Sequence, residues 1–392
     1  MGKSGLLIFI LAGGVFSILN TEMGVIGLLP AVSAYYNIDI VRAGLLVSMF
    51  ALGVAIAGPT MPLLCSRFRR KPIMLLVLGV FTVCNLVAVF ASSFEILLLA
   101  RVIPAFFHPV YCAMAFSMAA ASVAAENVPK AIARINMGVA AGMVIGVPVS
   151  NFLAGQFGFR EAMSFFAVVT GIMFIATLLF VPDKFAGEQK SYGEQFSVLR
   201  RVQVWLAVIA VVFLNGSIFG VYNYMAEYLE RVAGVANETG AFLLLVFGVM
   251  NVAGSWLAGS LLSRQAGKTI MTFPIAVALL YSLLYTYAAY GLAVVAACIV
   301  MWGILGGINA NINQYLVAKV TKDAPDFGNG LFLTAANIGC VVGTFIGGIF
   351  IQSIGLYAVF LAGIVMVVPA LLILYIRRSA AGEKITGFSC CK

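Results

Sequence analysis

The sequence predicts an all-α membrane protein with twelve transmembrane helices in two pseudo-symmetric six-helix halves. Composition, the number of apolar runs and a repeat at a fixed offset carry that prediction. Of 392 residues, 63% are hydrophobic and 9% charged, and mean hydropathy is +1.09. A soluble core of this length requires nothing so apolar. About 20 consecutive apolar residues are enough for a helix to cross a bilayer.

Twelve runs of that length follow one another. Their centres lie near Phe16, Leu52, Phe81, Val110, Val144 and Met173, then Leu214, Phe247, Val277, Gly306, Ile338 and Val365. The polar segment 182–204 separates the two sets. Across it the chain repeats itself: Ser66-Arg67 recurs as Ser263-Arg264, Gly142 and Gly146 as Gly339 and Gly343, and Gly158 as Gly355, each 197 residues later. Two parallel six-helix halves are the plan of one large class of secondary transporter. The expected division is an N-terminal half over 1–182, a cytoplasmic linker over 183–204, a C-terminal half over 205–378 and a tail over 379–392. Glycines four apart (Gly138, Gly142 and Gly146; Gly339, Gly343 and Gly347) share a helix face and let backbones approach. They predict close packing between the halves, either static or as seams for rocking.

Charge orients the helices. Of 23 Lys and Arg, this topology places 19 on one side and three (Arg42, Arg160 and Arg231) on the other, with Arg101 inside a span. The positive-inside rule then puts both termini in the cytoplasm. The net charge of +9 follows from that rule and gives no reason to expect nucleic acid, although basic loops can touch anionic lipid. The first apolar run continues to Pro30, beyond the core of a cleaved signal peptide. Position 6 is Leu, which argues against myristoylation. No Walker A loop is found, so neither an ATPase nor another enzyme is expected. Seven cysteines show no pairing pattern. Cys390-Cys391 in the tail is expected to be reduced and unmodified, with lipidation the alternative. One His and no CxxC or HxxxH cluster give no metal site, and no cofactor is expected.

Glu22 is the only charge in 6–32. An ionisable group at that depth is costly and marks an ion or substrate pathway. Arg101 and His108 are seven residues apart, so they share a helix face about 10 Å apart in depth. Span one runs outward and span four inward, which brings Glu22 and Arg101 to similar depth and predicts their pairing. Desolvation favours the neutral carboxyl and a nearby cation the carboxylate; in balance they leave Glu22 able to titrate. Proton coupling, a permanent structural pair and substrate contact are the roles open to it. His108 is either a second proton site or a core histidine held by a carbonyl freed where Pro104 and Pro109 bend span four.

Amides dominate the polar content of the second half. Asn309 and Asn313 are four apart on span ten, with Asn311 and Gln314 beside them. Asn215, Tyr222 and Asn223 lie on span seven and Asn337 on span eleven; with Asn20 on span one they form the candidate substrate cavity. Amides facing lipid are costly. They either join helices or hydrogen-bond a neutral polar solute.

Four strings carry a family resemblance over the whole length. The loop after span two reads Gly58-Pro59-Thr60-Met61-Pro62-Leu63-Leu64-Cys65-Ser66-Arg67-Phe68-Arg69-Arg70-Lys71. Span one reads Asn20-Thr21-Glu22-Met23-Gly24-Val25-Ile26-Gly27-Leu28-Leu29-Pro30, and span four Arg101-Val102-Ile103-Pro104-Ala105-Phe106-Phe107-His108-Pro109. Span five carries Gly142, then Gly146-Val147-Pro148, followed by Gly158-Phe159-Arg160. In this order the chain resembles the major facilitator superfamily, and more narrowly its bacterial drug:proton antiporter branch of sugar-efflux and chloramphenicol-efflux proteins. The resemblance implies a cytoplasmic gate motif (Gly58, Ser66, Arg67, Arg70, Lys71) and an antiporter helix motif (Gly142, Gly146, Pro148). Where the family has an aspartate that helps hold the outward-open closure, this chain has Ser66, which can cap a helix N-terminus but brings no charge.

The resemblance also implies proton-coupled efflux of a small organic solute, of drug, sugar or nucleoside type, by alternating access. Glu22, Arg101 and His108 are the proton-coupling residues. Partners would be the solute, protons and lipid, for a monomer in a bacterial inner membrane. Symport or facilitated uptake stays open, as does a non-transporting sensor or scaffold. A C-terminal reporter active only in the periplasm should be silent, and activity there contradicts the predicted topology.

Overall fold

Lipid offers no hydrogen bonds, so a spanning chain must satisfy its backbone internally, which a helix does. The computed structural model describes residues 3–38, 40–183, 192–235, 237–287 and 291–380. Lys184, Lys190, Lys384, Lys392 and the Cys390-Cys391 pair lie outside them. The described residues form twelve crossings without a strand. The first six are α1 (Lys3–Tyr36), α2 (Leu45–Cys65), α3 (Arg70–Val89), α4 in two pieces (α4a, Phe94–Ala105; α4b, His108–Ala121), α5 (Val128–Gln156) and α6 (Phe159–Phe180). The second six begin with α7 (Val202–Arg231). One helical stretch, Asn237–Tyr287, supplies α8 and α9, with a non-helical kink at Gln265 between them. Then come α10 (Leu292–Val320), α11 (Pro325–Ile354) and α12 (Val359–Ala380). Large apolar side chains cover the outer surface; Phe90 is 73% exposed, Val341 70% and Phe9 68%. Only a lipid environment suits such a surface.

The bend expected in span four is a complete break. Pro104 lies at the end of α4a and Pro109 in the first turn of α4b, leaving Phe106 and Phe107 between them. Proline has no N–H for the helical ladder and crowds the preceding turn. The break sets His108 at the start of a new helix, which matters for the site below.

Hydrophobic cores segregate by half. One is built from Leu7 to Val181 and lies in two clusters; the other runs from Ala207 to Leu374. The internal repeat is visible in the backbone: Gly158 and Gly355, at matching points before α6 and α12, have φ of 110° and 128°, a region that side chains resist.

The spaced glycines act differently from expectation. They pack helices within each half, not between halves. A methyl group on Gly142 would lie 2.8 Å from the Phe16 carbonyl of α1, and one on Gly339 would lie 2.5 Å from the Val212 carbonyl of α7. Thus α5 rests on α1 as α11 rests on α7. Between halves the close glycine approaches are others: Gly58 to Gly330 and Thr334, and Gly259 to Ala133 and Lys130. Gly343 faces the Gly216 backbone, whereas nothing lies near Gly155. Gly343→Val should therefore lower the melting temperature in detergent sharply, overpacking by even a methyl or two costing ~1–3 kcal/mol. Gly155→Ala should melt with the parent.

Candidate functional site

Arg101 is the largest charged side chain in the interior, 1% exposed. Buried guanidinium cannot shed its charge and needs fixed acceptors. It finds them on the α1 main chain: Nη1 donates to the Thr21 carbonyl at 2.8 Å and Nη2 to the Glu22 carbonyl at 3.3 Å. Its carbon lies 4.9 Å from the centre of the Phe50 ring on α2, a cation–π distance.

The predicted Glu22–Arg101 side-chain pair is therefore not what forms. The fork is occupied by two successive carbonyls, and the Glu22 carboxylate turns to His108 instead. His108 Nε2 stands 3.2 Å from Glu22 Oε2, with side chains 6% and 16% exposed. The break between α4a and α4b permits this, because His108 is no longer held two regular turns from Arg101. No freed carbonyl holds His108 either. Its Nε2 also lies 3.8 Å from Cys112 Sγ, its ring packs edge-on against Phe50 at 6.1 Å, and Nδ1 is buried without a hydrogen-bond partner among the described residues. One aromatic ring thus abuts both cationic residues, and both reach residue 22 of α1, one through its main chain and one through its carboxylate.

The expected cavity amides divide. Asn215, Asn309 and Asn313 converge in the interior: Asn215 Oδ1 accepts from Asn309 Nδ2 and from Asn313 Nδ2, each at 3.4 Å, while its Nδ2 donates to the Ala336 carbonyl at 2.7 Å. Those bonds fix the orientation of all three amides. The Oδ1 atoms of Asn309 and Asn313 remain buried acceptors without a hydrogen-bond donor among the described residues. Asn20 is elsewhere, buried against Gly146 at the α1–α5 crossing. Tyr222 belongs to an aromatic cluster with Phe247 and Trp302, 4.9 and 6.0 Å away. Asn223 donates to Thr344 Oγ1 at 2.6 Å and edges an open cleft of about 570 Å³ with Tyr224, Cys340 and Gln352. Asn337 is exposed and bonds to its own helix at Leu333. Asn311 pairs with Asn136 of α5 at 3.1 Å.

The gate residues sit where α2, α3 and α11 meet. Ser66 does not cap a helix N-terminus. It follows the last turn of α2, donating to the Leu63 carbonyl at 2.7 Å and accepting from Gln195 Nε2 at 2.9 Å. The next helix starts only at Arg70, out of Ser66's reach as a cap. Arg67 is exposed. Lys71 donates to the Leu178 carbonyl at 2.9 Å. Arg70 faces Asp326 of α11 at 3.4 Å, a carboxylate that the sequence reading passed over. Its signal was faint: one acid in the first turn of an otherwise apolar span, where acids are ordinary. Pro148 lies inside α5 two residues past Gly146, and Ser150 donates to the Gly24 carbonyl at 2.6 Å. Asn85, buried on α3 and also passed over, bridges Thr21 at 3.3 Å and Thr170 at 3.4 Å.

A family model described as Major Facilitator Superfamily matches residues 10–344. Among curated proteins, the chain is 31% identical over 371 residues to an uncharacterized MFS-type transporter, YtbD, of Bacillus subtilis, covering 93% of each. It is 28% identical to the inner membrane transport protein YdhP of Escherichia coli K12, over 94% of this chain and 95% of that one. Among solved structures it resembles the E. coli fucose:proton symporter FucP, with TM-score 0.75 at 14% identity over 94% of this chain and 98% of that one. The human organic anion transporter MFSD10 also gives 0.75 at 14% identity, over 95% and 100%. At that identity the structural likeness concerns the fold alone. The family match and the full-length relatives place this chain in the Major Facilitator Superfamily of membrane transporters.

Proposed function

We propose that this transporter exports a small organic solute in exchange for protons, and that Glu22 carries the proton. The observation that carries this reading is the half-buried Glu22–His108 contact at 3.2 Å, a titratable pair at the joint between α1 and the broken α4. Arg101 holds the α1 main chain so that the carboxylate faces the imidazole. In the outward-open form, a proton entering from outside neutralises the carboxylate and removes its attraction for a charged His108. After the halves rock, solute arriving from the cytoplasm displaces that proton inward. His108 is the second proton site of the pair.

The basic end, closed in this structure, is the cytoplasmic one by the charge asymmetry. The protein would sit as a monomer in a bacterial inner membrane, with halves 1–182 and 205–378, linker 183–204 and tail 379–392. Asn215, Asn309 and Asn313 favour a neutral solute with hydrogen-bond donors, because two fixed amide oxygens await them. The antiporter branch and the outward direction rest on the span-five motif, Gly142, Gly146 and Pro148.

Two variants test this. Purified protein is reconstituted in vesicles and tested with labelled chloramphenicol, lactose and adenosine under an imposed proton gradient. The parent should move at least one of them against its gradient, and an uncoupler should stop it. Glu22→Gln, a fixed mimic of the protonated acid, should lose uphill transport while keeping folding and solute exchange. Uphill transport at the parental rate by Glu22→Gln contradicts the proposal. Arg101→Lys should also fail, by about tenfold or more. A single ammonium cannot fork both carbonyls, and each hydrogen bond to a charged group contributes ~1.5–3 kcal/mol. Parental transport by Arg101→Lys would remove the positioning role.

A further inference from the structure

The two halves meet at their basic end through a buried charge. Asp326, in the first turn of α11, is fully buried. Arg70 of α3 stands 3.4 Å from its Oδ2, with 9% of the arginine side chain exposed. Ser117 of α4b donates its hydroxyl to Oδ1. One turn along α11, Asn329 donates to the Ala113 carbonyl at 3.1 Å and to Ser117 Oγ at 3.0 Å. Gln314 of α10 donates in turn to Asn329. Apolar contact flanks the group, where Phe116 of α4b meets Phe332 of α11 at 6.3 Å.

We infer that Asp326 is the positioning residue that holds the basic end shut during the transport cycle. Arg70, Ser117 and Ala113 belong to the first six helices, while Asp326 and Asn329 belong to the second six. The network therefore exists only while the two ends are together. Removing one partner of a buried pair leaves the other charge uncompensated. Opening must instead bring water to Arg70 and Asp326 as they separate. The neighbouring Ser66 takes no part in this charge contact, being engaged with Leu63 and Gln195. Asp326 touches no solute in this account. It acts by setting how often the inner end opens, so the inference rests on alternating access but on neither the proton carrier nor the solute.

The test reads that opening directly and needs no solute. Spin labels are placed at Glu126, between α4b and α5, and at Lys322, between α10 and α11, both exposed. The native cysteines are replaced, the protein is held in lipid nanodiscs, and label–label distances are measured. The parent should show mainly a short distance. Asp326→Asn should raise the ratio of long to short distances by about tenfold or more. The double variant Arg70→Gln/Asp326→Asn strands no charge and should remain shifted, because the cross-half pair is still missing. A parental distribution in Asp326→Asn overturns the inference. So does a double variant that returns to the parental distribution, which would assign the shift to the stranded Arg70 charge. If Asp326→Asn does not fold, the double variant alone decides.

Discussion

A guanidinium inside a membrane keeps its charge, and everything around it has to accommodate that fact. Arg101 is accommodated by two consecutive carbonyls of α1 and the face of Phe50. That choice of acceptors has consequences. It ties α4a to α1 at residues 21 and 22, and it leaves the Glu22 carboxylate free of a guanidinium clamp. The acid is then available to a weaker and switchable partner, His108. An Arg–Glu pair at the same place would have been a permanent fixture; a His–Glu pair can gain and lose a proton.

The helix seams make this placement durable. In each half, glycines on one helix admit the backbone of another to near contact, α5 on α1 and α11 on α7. Close-packed interiors move as bodies and do not deform continuously. Each half thus behaves as a block, with its own hydrophobic core. Polar and charged contacts between the blocks gather at the basic end, where Arg70, Ser117, Asp326 and Asn329 meet. Blocks of this kind can rock about a site between them, which is how the family's fold provides alternating access.

Much of the fold was legible in the chain because lipid imposes a simple rule, a run of about 20 apolar residues per crossing. The repeat was legible too, since Gly158 and Gly355 need the same unusual backbone. Partner choice was not. Depth and helical phase brought Arg101 and Glu22 together correctly, but a one-dimensional reading counts side chains and overlooks carbonyls as acceptors. It also treated span four as continuous, and the break after Ala105 is what delivers His108 to Glu22. Asp326 and Asn85 were missed for a related reason. Each looks ordinary by itself, and only the convergence of three helices marks it. Asn223 and Asn337 show the reverse error, polar residues assigned to the interior that lie exposed.

The central claim is that solute and proton compete through Glu22, and proton release on binding tests it most directly. Purified transporter in weakly buffered solution is mixed with whichever solute it carries, and a pH-indicating dye reports released protons. The account predicts release from the parent and none from Glu22→Gln at matched solute occupancy. Equal release from both would contradict it and place the coupling proton elsewhere.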